Sequence, residues 1–311
     1  MELADLCVFT EPQQGASYDT LLSVARRTEQ LGFGAFFRSD HYSPMGSASG
    51  QPGPTDAWIT LAGLARDTTS VRLGTLVTSA TFRHPGILAV TVAQVDQMSG
   101  GRVELGLGAG WYESEHDAMG VPFAPVRERF DVLEDQLAIV TGMWATPPGS
   151  TFDHEGRARS VKGALGLPKP AQQHVPIIIG GRGTSTTPRL AATYADEFNL
   201  AFGSLELFHT QRGHVLAACE RQGRERPIAF SAALVVAVGS TDAEFERRAA
   251  AIRREPDELR LNGAAGSPAE AAEALRRWRD AGAERLYLQV LDLDDLEHLD
   301  LIACEVVPLL A

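Results

Sequence analysis

Short apolar segments rich in β-branched residues alternate with longer amphipathic segments along the whole chain. This alternation predicts eight strands, over residues 3–9, 35–38, 71–77, 102–107, 176–179, 197–200, 228–238 and 285–290. Strands that alternate with helices pair in parallel through crossover connections. Eight such units in 311 residues favour an α/β fold of the closed (β/α)8 (TIM) barrel type. An open doubly wound sheet is the alternative, and it normally has about six strands.

The chain carries no Gly/Ser-rich linker, internal repeat or low-complexity tract. We therefore expect a single domain over residues 1–311. Residues 146–170 lack clear periodicity and are too long for an ordinary connection. We expect this segment to be an insertion after the fourth strand–helix unit, acting as a lid or as a packing arm.

Charge and cysteine content limit the partners and the compartment. The formal net charge of −12 disfavours nucleic acid, whose phosphates would be repelled. No apolar run reaches the ~18–20 residues of a membrane span, and the first residues lack the pattern of a signal peptide. Three widely spaced cysteines without a CxxC, HxH or HExxH pair predict reduced thiols and no metal site. We expect a cytoplasmic protein whose partner is a small molecule.

In a (β/α)8 barrel, functional residues lie at the C-terminal ends of the strands. Ser39-Asp40-His41-Tyr42 follows the second predicted strand, and a histidine can exchange protons near neutral pH. His41 is therefore a candidate acid–base residue, and Asp40 could orient its ring or cap the loop. A histidine in this position is also often purely structural.

Two glycine-rich turns follow later strands. Gly180-Gly181-Arg182-Gly183-Thr184 comes between an apolar strand and a helix, where backbone N–H groups can bind a phosphate; a plain tight turn is the alternative. Gly106-Leu107-Gly108-Ala109-Gly110 has GxGxG spacing, which departs from the dinucleotide motif GxGxxG. It could let a flat ring approach the backbone or be a kinked strand end. Trp111 and Tyr112 either wall a pocket or pack beneath it.

These motifs together resemble those of the bacterial luciferase-like superfamily (the LLM class), and specifically its branch that uses the 5-deazaflavin coenzyme F420. The resemblance extends along nearly the whole chain. It is carried, in order, by Phe37-Arg38-Ser39-Asp40-His41-Tyr42, Leu73-Gly74-Thr75-Leu76-Val77-Thr78, Arg83-His84-Pro85, Ser99-Gly100-Gly101-Arg102, Leu105-Gly106-Leu107-Gly108-Ala109-Gly110-Trp111-Tyr112-Glu113, Arg127-Glu128-Arg129-Phe130 and Ile177-Ile178-Ile179-Gly180-Gly181.

The resemblance implies a barrel that is commonly a homodimer and holds F420, or alternatively FMN, at its mouth. It implies that His41 lies beside the reactive ring and takes part in proton transfer, and that Asp40 contacts the coenzyme. It also implies a non-proline cis peptide bond between Leu76 and Val77 beneath the ring. The remaining coenzyme contacts that it implies are Thr78, Ser79, Gly108, Ala109, Gly110 and Trp111 at the ring, and Gly180, Gly181, Arg182 and Gly183 at the phosphate.

The sequence departs from the sugar-phosphate dehydrogenases of this group. Trp111 stands where those enzymes place a glutamate proton donor, and Glu113 or Glu115 could replace that residue. We expect the substrate to be selected by residues 11–17, 43–54 and 146–170. The candidate residues of the substrate pocket are Trp58, Tyr112, Glu113 and Asn199.

The expected function is that of an oxidoreductase that transfers a hydride between F420 and a small organic substrate. The alternatives are an FMN-dependent monooxygenase that uses molecular oxygen, a non-catalytic flavin- or deazaflavin-binding protein, and a phosphosugar-handling barrel without redox chemistry. Stoichiometric binding of one coenzyme would separate most of these alternatives.

Overall fold

A computed structural model describes residues 1–310 of the protein. Within them the strands are β1 (Leu6–Thr10), β2 (Ala35–Arg38), β3 (Arg72–Thr75), β4 (Thr78–Ser79), β5 (Val103–Gly108), β6 (Phe152–Glu155), β7 (Ser160–Ala164), β8 (Ile177–Gly180), β9 (Glu197–Ala201), β10 (Ala229–Val238), β11 (Ala264–Gly266) and β12 (Arg285–Val290). The helices are α1 (Tyr18–Leu31), α2 (Ala57–Asp67), α3 (Pro85–Ser99), α4 (Glu113–Met119), α5 (Val126–Ala145), α6 (Thr186–Tyr194), α7 (Leu205–Gln222), α8 (Asp242–Ala251), α9 (Pro256–Asn262), α10 (Pro268–Asp280) and α11 (Leu296–Leu301).

The main sheet closes on itself. Parallel pairing runs in the order β1, β2, β3, β5, β8, β9, β10 and β12, and β12 pairs with β1 again. Helices cover the outside of this ring between successive strands. The predicted (β/α)8 barrel is therefore confirmed, and the open doubly wound sheet is excluded.

Side chains along each barrel strand alternate between two buried faces. Leu6 and Val8 of β1 pack outward against the helices, whereas Cys7 and Phe9 pack inside the barrel with Phe37. Because both faces of a parallel sheet are covered, the strands read in the sequence as continuous apolar runs.

A polar network crosses the barrel interior beneath these apolar residues. The Arg285 guanidinium donates to Glu104 and to Glu197, each at 2.7 Å. The Tyr287 hydroxyl donates to Glu197 at 2.7 Å, and Arg72 also pairs with Glu104. Burial raises the pKa of Glu104, but Arg285 and Arg72 lower it by a larger amount, so the pKa lies below its usual value.

The third predicted strand is interrupted. β3 ends at Thr75, the bond between Leu76 and Val77 is cis as the resemblance implied, and pairing with β5 resumes in β4. The first predicted strand is shorter than expected. Leu3–Asp5 forms a 3-10 turn because the side chains of Glu2 and Asp5 cap it reciprocally. The short strand β11, beside β10, was not predicted.

Residues 146–170 contain an antiparallel hairpin of β6 and β7. It packs on α5, where the Asp135 carboxylate accepts backbone N–H bonds from Ala158 at 2.7 Å and Arg159 at 2.9 Å. No residue of this segment lines either of the two cavities described below. The hairpin therefore packs against the outer helices and does not cover the barrel mouth.

Among the described helices, none is both long enough and apolar enough to span a membrane.

Candidate active site

Strand ends from across the chain meet at one cavity of about 730 Å³, which we call the central cavity. His41 follows β2, Ser79 ends β4, Gly108 ends β5 and Asn199 belongs to β9. The predicted residues that line it are His41, Leu76, Val77, Ser79, Gly108, Ala109, Gly110, Trp111, Tyr112, Gly180, Gly181, Arg182, Gly183 and Asn199. His41 and the triple-glycine turn thus lie on the same rim.

Four predicted residues lie outside the cavity wall. Asp40 is buried in an ion pair with Arg83, whose nitrogens approach its carboxylate at 2.5 and 3.3 Å. Trp58 and Thr78 are buried behind the wall, where the indole N–H donates to the threonine hydroxyl at 3.1 Å. Glu113 is exposed at the start of α4. The assignment of these four residues to ligand contacts stays a prediction.

A flat wall forms where β5 ends. A Cβ atom added at Gly108 would lie 2.8 Å from a methyl carbon of Val77, and one at Gly110 would lie 2.5 Å from the Ser79 hydroxyl. Gly110 also has a φ of +79°, which L side chains rarely adopt. The missing side chains let Val77 and Ser79 approach the end of β5 closely, so glycine backbone, Leu76 and Val77 together form a cavity wall against which a planar ring could lie.

The end of β8, the strand that pairs with β5, suits an anion. Residues 180–183 connect β8 to α6, and the Ser185 side chain forms no cap on that helix. The first N–H groups of α6 are thus left without a side-chain acceptor, and a helix N-terminus favours negative charge. The Arg182 guanidinium is held by the carbonyl of Phe202 at 2.8 Å.

His41 lies on the same rim, after β2, and β3 separates that strand from β5. Its Nδ1 is 2.9 Å from Oε2 of Glu115, and the ring edges of Trp111 and Tyr112 flank it at 5.9 and 6.2 Å between centroids. Its Nε2 has no hydrogen-bond partner among residues 1–310. Burial raises the pKa of Glu115, but hydrogen bonds from His41, Tyr42 and Ser43 outweigh this and hold it below the usual value.

A chain of hydrogen bonds supports Ser79, which the sequence alone did not connect to a histidine. Ser79 Oγ is 2.6 Å from Thr81 Oγ1, which is 2.6 Å from His116 Nε2. His116 Nδ1 is 2.7 Å from the Tyr112 carbonyl, so this nitrogen is the donor. In a neutral imidazole Nε2 then accepts from Thr81, Thr81 accepts from Ser79, and the Ser79 oxygen is left as an acceptor toward the cavity.

A second cavity of about 990 Å³ adjoins the first. Glu11, Met45, Trp111 and Phe202 line both cavities. The Glu11 carboxylate accepts a long hydrogen bond of 3.5 Å from Gln14, and burial raises its pKa. Glu11 is thus a carboxyl group at the junction that can exchange a proton, and no sequence motif marks it. In the described residues, no three His, Cys, Asp or Glu side chains cluster suitably for a metal ion.

The profile of the luciferase-like monooxygenases matches residues 3–290. This match covers most of the chain, so the protein belongs to that family, in agreement with the resemblance.

Individual relatives match a shorter region. The chain is 34% identical over 193 residues to an F420-dependent glucose-6-phosphate dehydrogenase of Microbacterium testaceum (strain StLB037), covering 62% of this chain and 55% of that protein. It is 31% identical over 179 residues to an F420-dependent hydroxymycolic acid dehydrogenase of Mycobacterium tuberculosis (strain ATCC 25618 / H37Rv), covering 57% and 48%. The matches therefore span about half the length of these relatives.

Solved structures share the fold at low identity. An F420-dependent secondary alcohol dehydrogenase in complex with an F420-acetone adduct superposes with a TM-score of 0.83 at 20% identity, covering 99% of both chains. The monooxygenase RslO1 from Streptomyces bottropensis superposes with a TM-score of 0.80 at 20% identity, covering 98% of this chain and 99% of that one.

Proposed function

We propose that this chain is an oxidoreductase that transfers a hydride between coenzyme F420, bound in the central cavity, and a small organic substrate. The observation that carries the proposal is the convergence of a glycine-lined wall, an uncapped helix N-terminus and His41 in one cavity. The F420-dependent relatives support the choice of coenzyme.

The residues fit a planar ring with an anionic tail. The ring would lie against the wall formed by Gly108, Gly110, Leu76 and Val77, and Ser79 offers an acceptor to a ring N–H group. The turn at residues 180–183, together with the start of α6, would bind the phosphate. Bound F420 would supply the carbon that accepts or donates the hydride. His41 would exchange the accompanying proton through Nε2, since Nδ1 is held by Glu115 and Nε2 has no hydrogen-bond partner among residues 1–310.

The second cavity is the proposed place for the substrate. It is lined from residues 11–17 and 43–54, two of the segments expected to select the substrate, and it opens to the central cavity beside Glu11 and Trp111. The third expected segment, residues 146–170, packs elsewhere and has no part in this proposal.

Titration of the purified protein with F420 and, separately, with FMN tests the coenzyme. We expect stoichiometric binding of F420 and substrate-dependent bleaching of its absorbance. His41→Ala should lower turnover by about 10²–10⁴-fold, the range typical of a lost acid–base group, while the F420 dissociation constant changes much less. His209→Ala, on the exposed face of α7, is the control and should change neither quantity. Equal losses of binding and turnover in His41→Ala would make His41 a binding residue only.

An FMN-dependent monooxygenase is the second candidate, because the family as a whole is described by that activity and RslO1 shares the fold. It predicts tight binding of FMN and consumption of oxygen with reduced flavin. A coenzyme-binding protein without turnover would bind either ring and show no bleaching with any substrate.

A homodimer is part of the proposal. Ile59 on α2 and Ile87 on α3 are 76% and 65% exposed, and these two helices pack side by side. Exposed isoleucines on neighbouring helices suit a self-complementary interface. Light scattering should give twice the chain mass, and Ile59→Asp combined with Ile87→Asp should give the monomer mass. A monomeric wild type would overturn this part.

We also propose a cytoplasmic location. Cys7, Cys219 and Cys304 are all free, which suits a reducing compartment. Cell fractionation tests this directly, and recovery in an extracellular fraction would contradict it.

A further inference from the structure

We propose that Glu115 is a positioning residue that fixes the tautomer of His41, so that Nδ1 carries the hydrogen and Nε2 is the nitrogen that faces the reaction. The inference rests on the proposed function for its catalytic meaning. The tautomer itself is a property of the protein without coenzyme or substrate.

The carboxylate of Glu115 is fully engaged. Its Oε1 accepts the backbone N–H groups of Tyr42 and Ser43, the latter at 3.0 Å, and its Oε2 lies 2.9 Å from Nδ1 of His41. The side chain is 0% exposed, so water does not compete for these positions. An ionised carboxylate can only accept hydrogen bonds, and Nδ1 must therefore be the donor.

The two oxygens have separate roles. Oε1 joins α4 to the loop after β2, and this role requires only an acceptor. Oε2 meets the imidazole, and the aromatic rings of Trp111 and Tyr112 limit how far that imidazole can turn. Both oxygens belong to one rigid carboxylate. The contacts of Oε1 that position the loop therefore also determine which nitrogen of His41 is left for the cavity.

Glu115→Gln separates the two roles. The backbone N–H groups of Tyr42 and Ser43 can only donate, so they will hold the glutamine oxygen. The glutamine NH₂ then faces Nδ1 of His41, which must become an acceptor. We expect the imidazole to change to the tautomer that carries its hydrogen on Nε2.

The test is long-range ¹H–¹⁵N spectroscopy of protein labelled with ¹⁵N-histidine, recorded without coenzyme, with His41→Gln used to assign the His41 signals. In the wild type at a pH where His41 is neutral, we expect the hydrogen on Nδ1. Glu115→Gln should show it on Nε2. Glu113→Gln is the matched control, because that carboxylate lies two residues earlier in α4, is exposed and lines neither cavity.

A wild type with the hydrogen on Nε2 would overturn the inference even if no variant folded. An unchanged tautomer in folded Glu115→Gln would overturn it as well. With an F420 assay in hand, Glu115→Gln should lower turnover by about 10²–10⁴-fold with little change in F420 affinity. If F420 fails to bind the wild type while the tautomer is as expected, the proposed function fails and the positioning role of Glu115 stands.

Discussion

The interior of the barrel and its mouth both contain hydrogen-bonded polar networks, but the two networks differ in how fully their side chains are satisfied. In the interior, Arg285 donates to Glu104 and Glu197, and the other oxygen of Glu197 accepts from Tyr287 and from Ser231 at 2.5 Å. At the mouth, His41 and Ser79 reach the cavity with hydrogen-bonding capacity left over. A saturated network holds the barrel together, whereas an unsaturated one is available to a ligand.

Asn199 connects the two regions. Its side-chain N–H donates to Ser231 at 2.8 Å, and Ser231 donates to Glu197 of the interior network. Asn199 also lines the central cavity. The interior network therefore orients the Asn199 side chain at the floor of the central cavity. Asn199 thus belongs both to the structural network and to the site.

Breaking the interior network should have the largest effect. Arg285→Met leaves the buried carboxylate of Glu197 without its cation and Glu104 with Arg72 alone, and removal of one partner of such a group typically costs about 3–5 kcal/mol. We expect the free energy of unfolding, measured in urea, to fall by that amount. Adding Glu104→Gln to Arg285→Met should recover part of the loss. A loss below about 1 kcal/mol would mean that the network is not a structural element.

Low pH should destabilise the protein through His298, a residue that belongs neither to the interior network nor to the mouth. Burial and the nearby Arg248 lower the pKa of His298 to about 3, and its Nε2 accepts the backbone N–H of Val238 at 2.9 Å. The unfolded chain takes up a proton below about pH 6.5 and the folded chain does not, so stability is present above that pH and is lost as the pH falls toward 3.

We expect the free energy of unfolding to fall by about 2 kcal/mol between pH 6.5 and pH 5 through this one group. His298→Gln, which keeps an acceptor for Val238, should flatten this part of the pH profile in urea titrations. An equal slope in the variant would assign the acid sensitivity to other groups.

A side chain added at the mouth should weaken coenzyme binding as well as lower folding stability. In Gly110→Ala the new Cβ would meet the Ser79 hydroxyl and force a left-handed conformation, which costs about 1–2 kcal/mol. We expect coenzyme affinity to fall by about 10-fold or more in a fluorescence titration. Gly213→Ala, on α7 with open space around it, is the control and should bind as the wild type does. Unchanged coenzyme affinity in Gly110→Ala would show that the ring does not bind beside Gly110.

Removing one acceptor at the mouth should have the smallest effect. Ser79→Ala deletes the oxygen that faces the cavity, and a hydrogen bond of this kind typically contributes about 0.5–1.5 kcal/mol. We expect coenzyme affinity to weaken by about 2–10-fold with little change in stability. A larger loss of stability than of affinity would place Ser79 with the saturated, structural network.

The fold and the outline of the site were accessible from the sequence because both depend on backbone position. Strand ends are brought to one rim by the barrel, so motifs after β2, β5 and β8 were expected to meet, and they do. The cis bond at Leu76–Val77 followed from the family resemblance and is present.

Side-chain partners were less accessible because they depend on packing between distant segments. The ion pair of Asp40 with Arg83, which belongs to the loop before α3, was not expected, and the contact of Asp40 with the coenzyme stays a prediction. Trp58 and Thr78 bond to each other behind the wall, since the interruption after Thr75 changes which residues face inward. Glu115 was named only as a candidate proton donor, and its contact with His41 needs the docking of α4 on the loop after β2.

The wall shared by the two cavities has a consequence for protein engineering. Four residues line both cavities: Glu11, Met45, Trp111 and Phe202. A substitution there that makes room for a bulkier substrate would therefore also change the shape of the proposed coenzyme site. Val235, Leu259 and Leu291 border the second cavity alone. Libraries that vary these three positions are expected to alter substrate selectivity without changing the proposed coenzyme site.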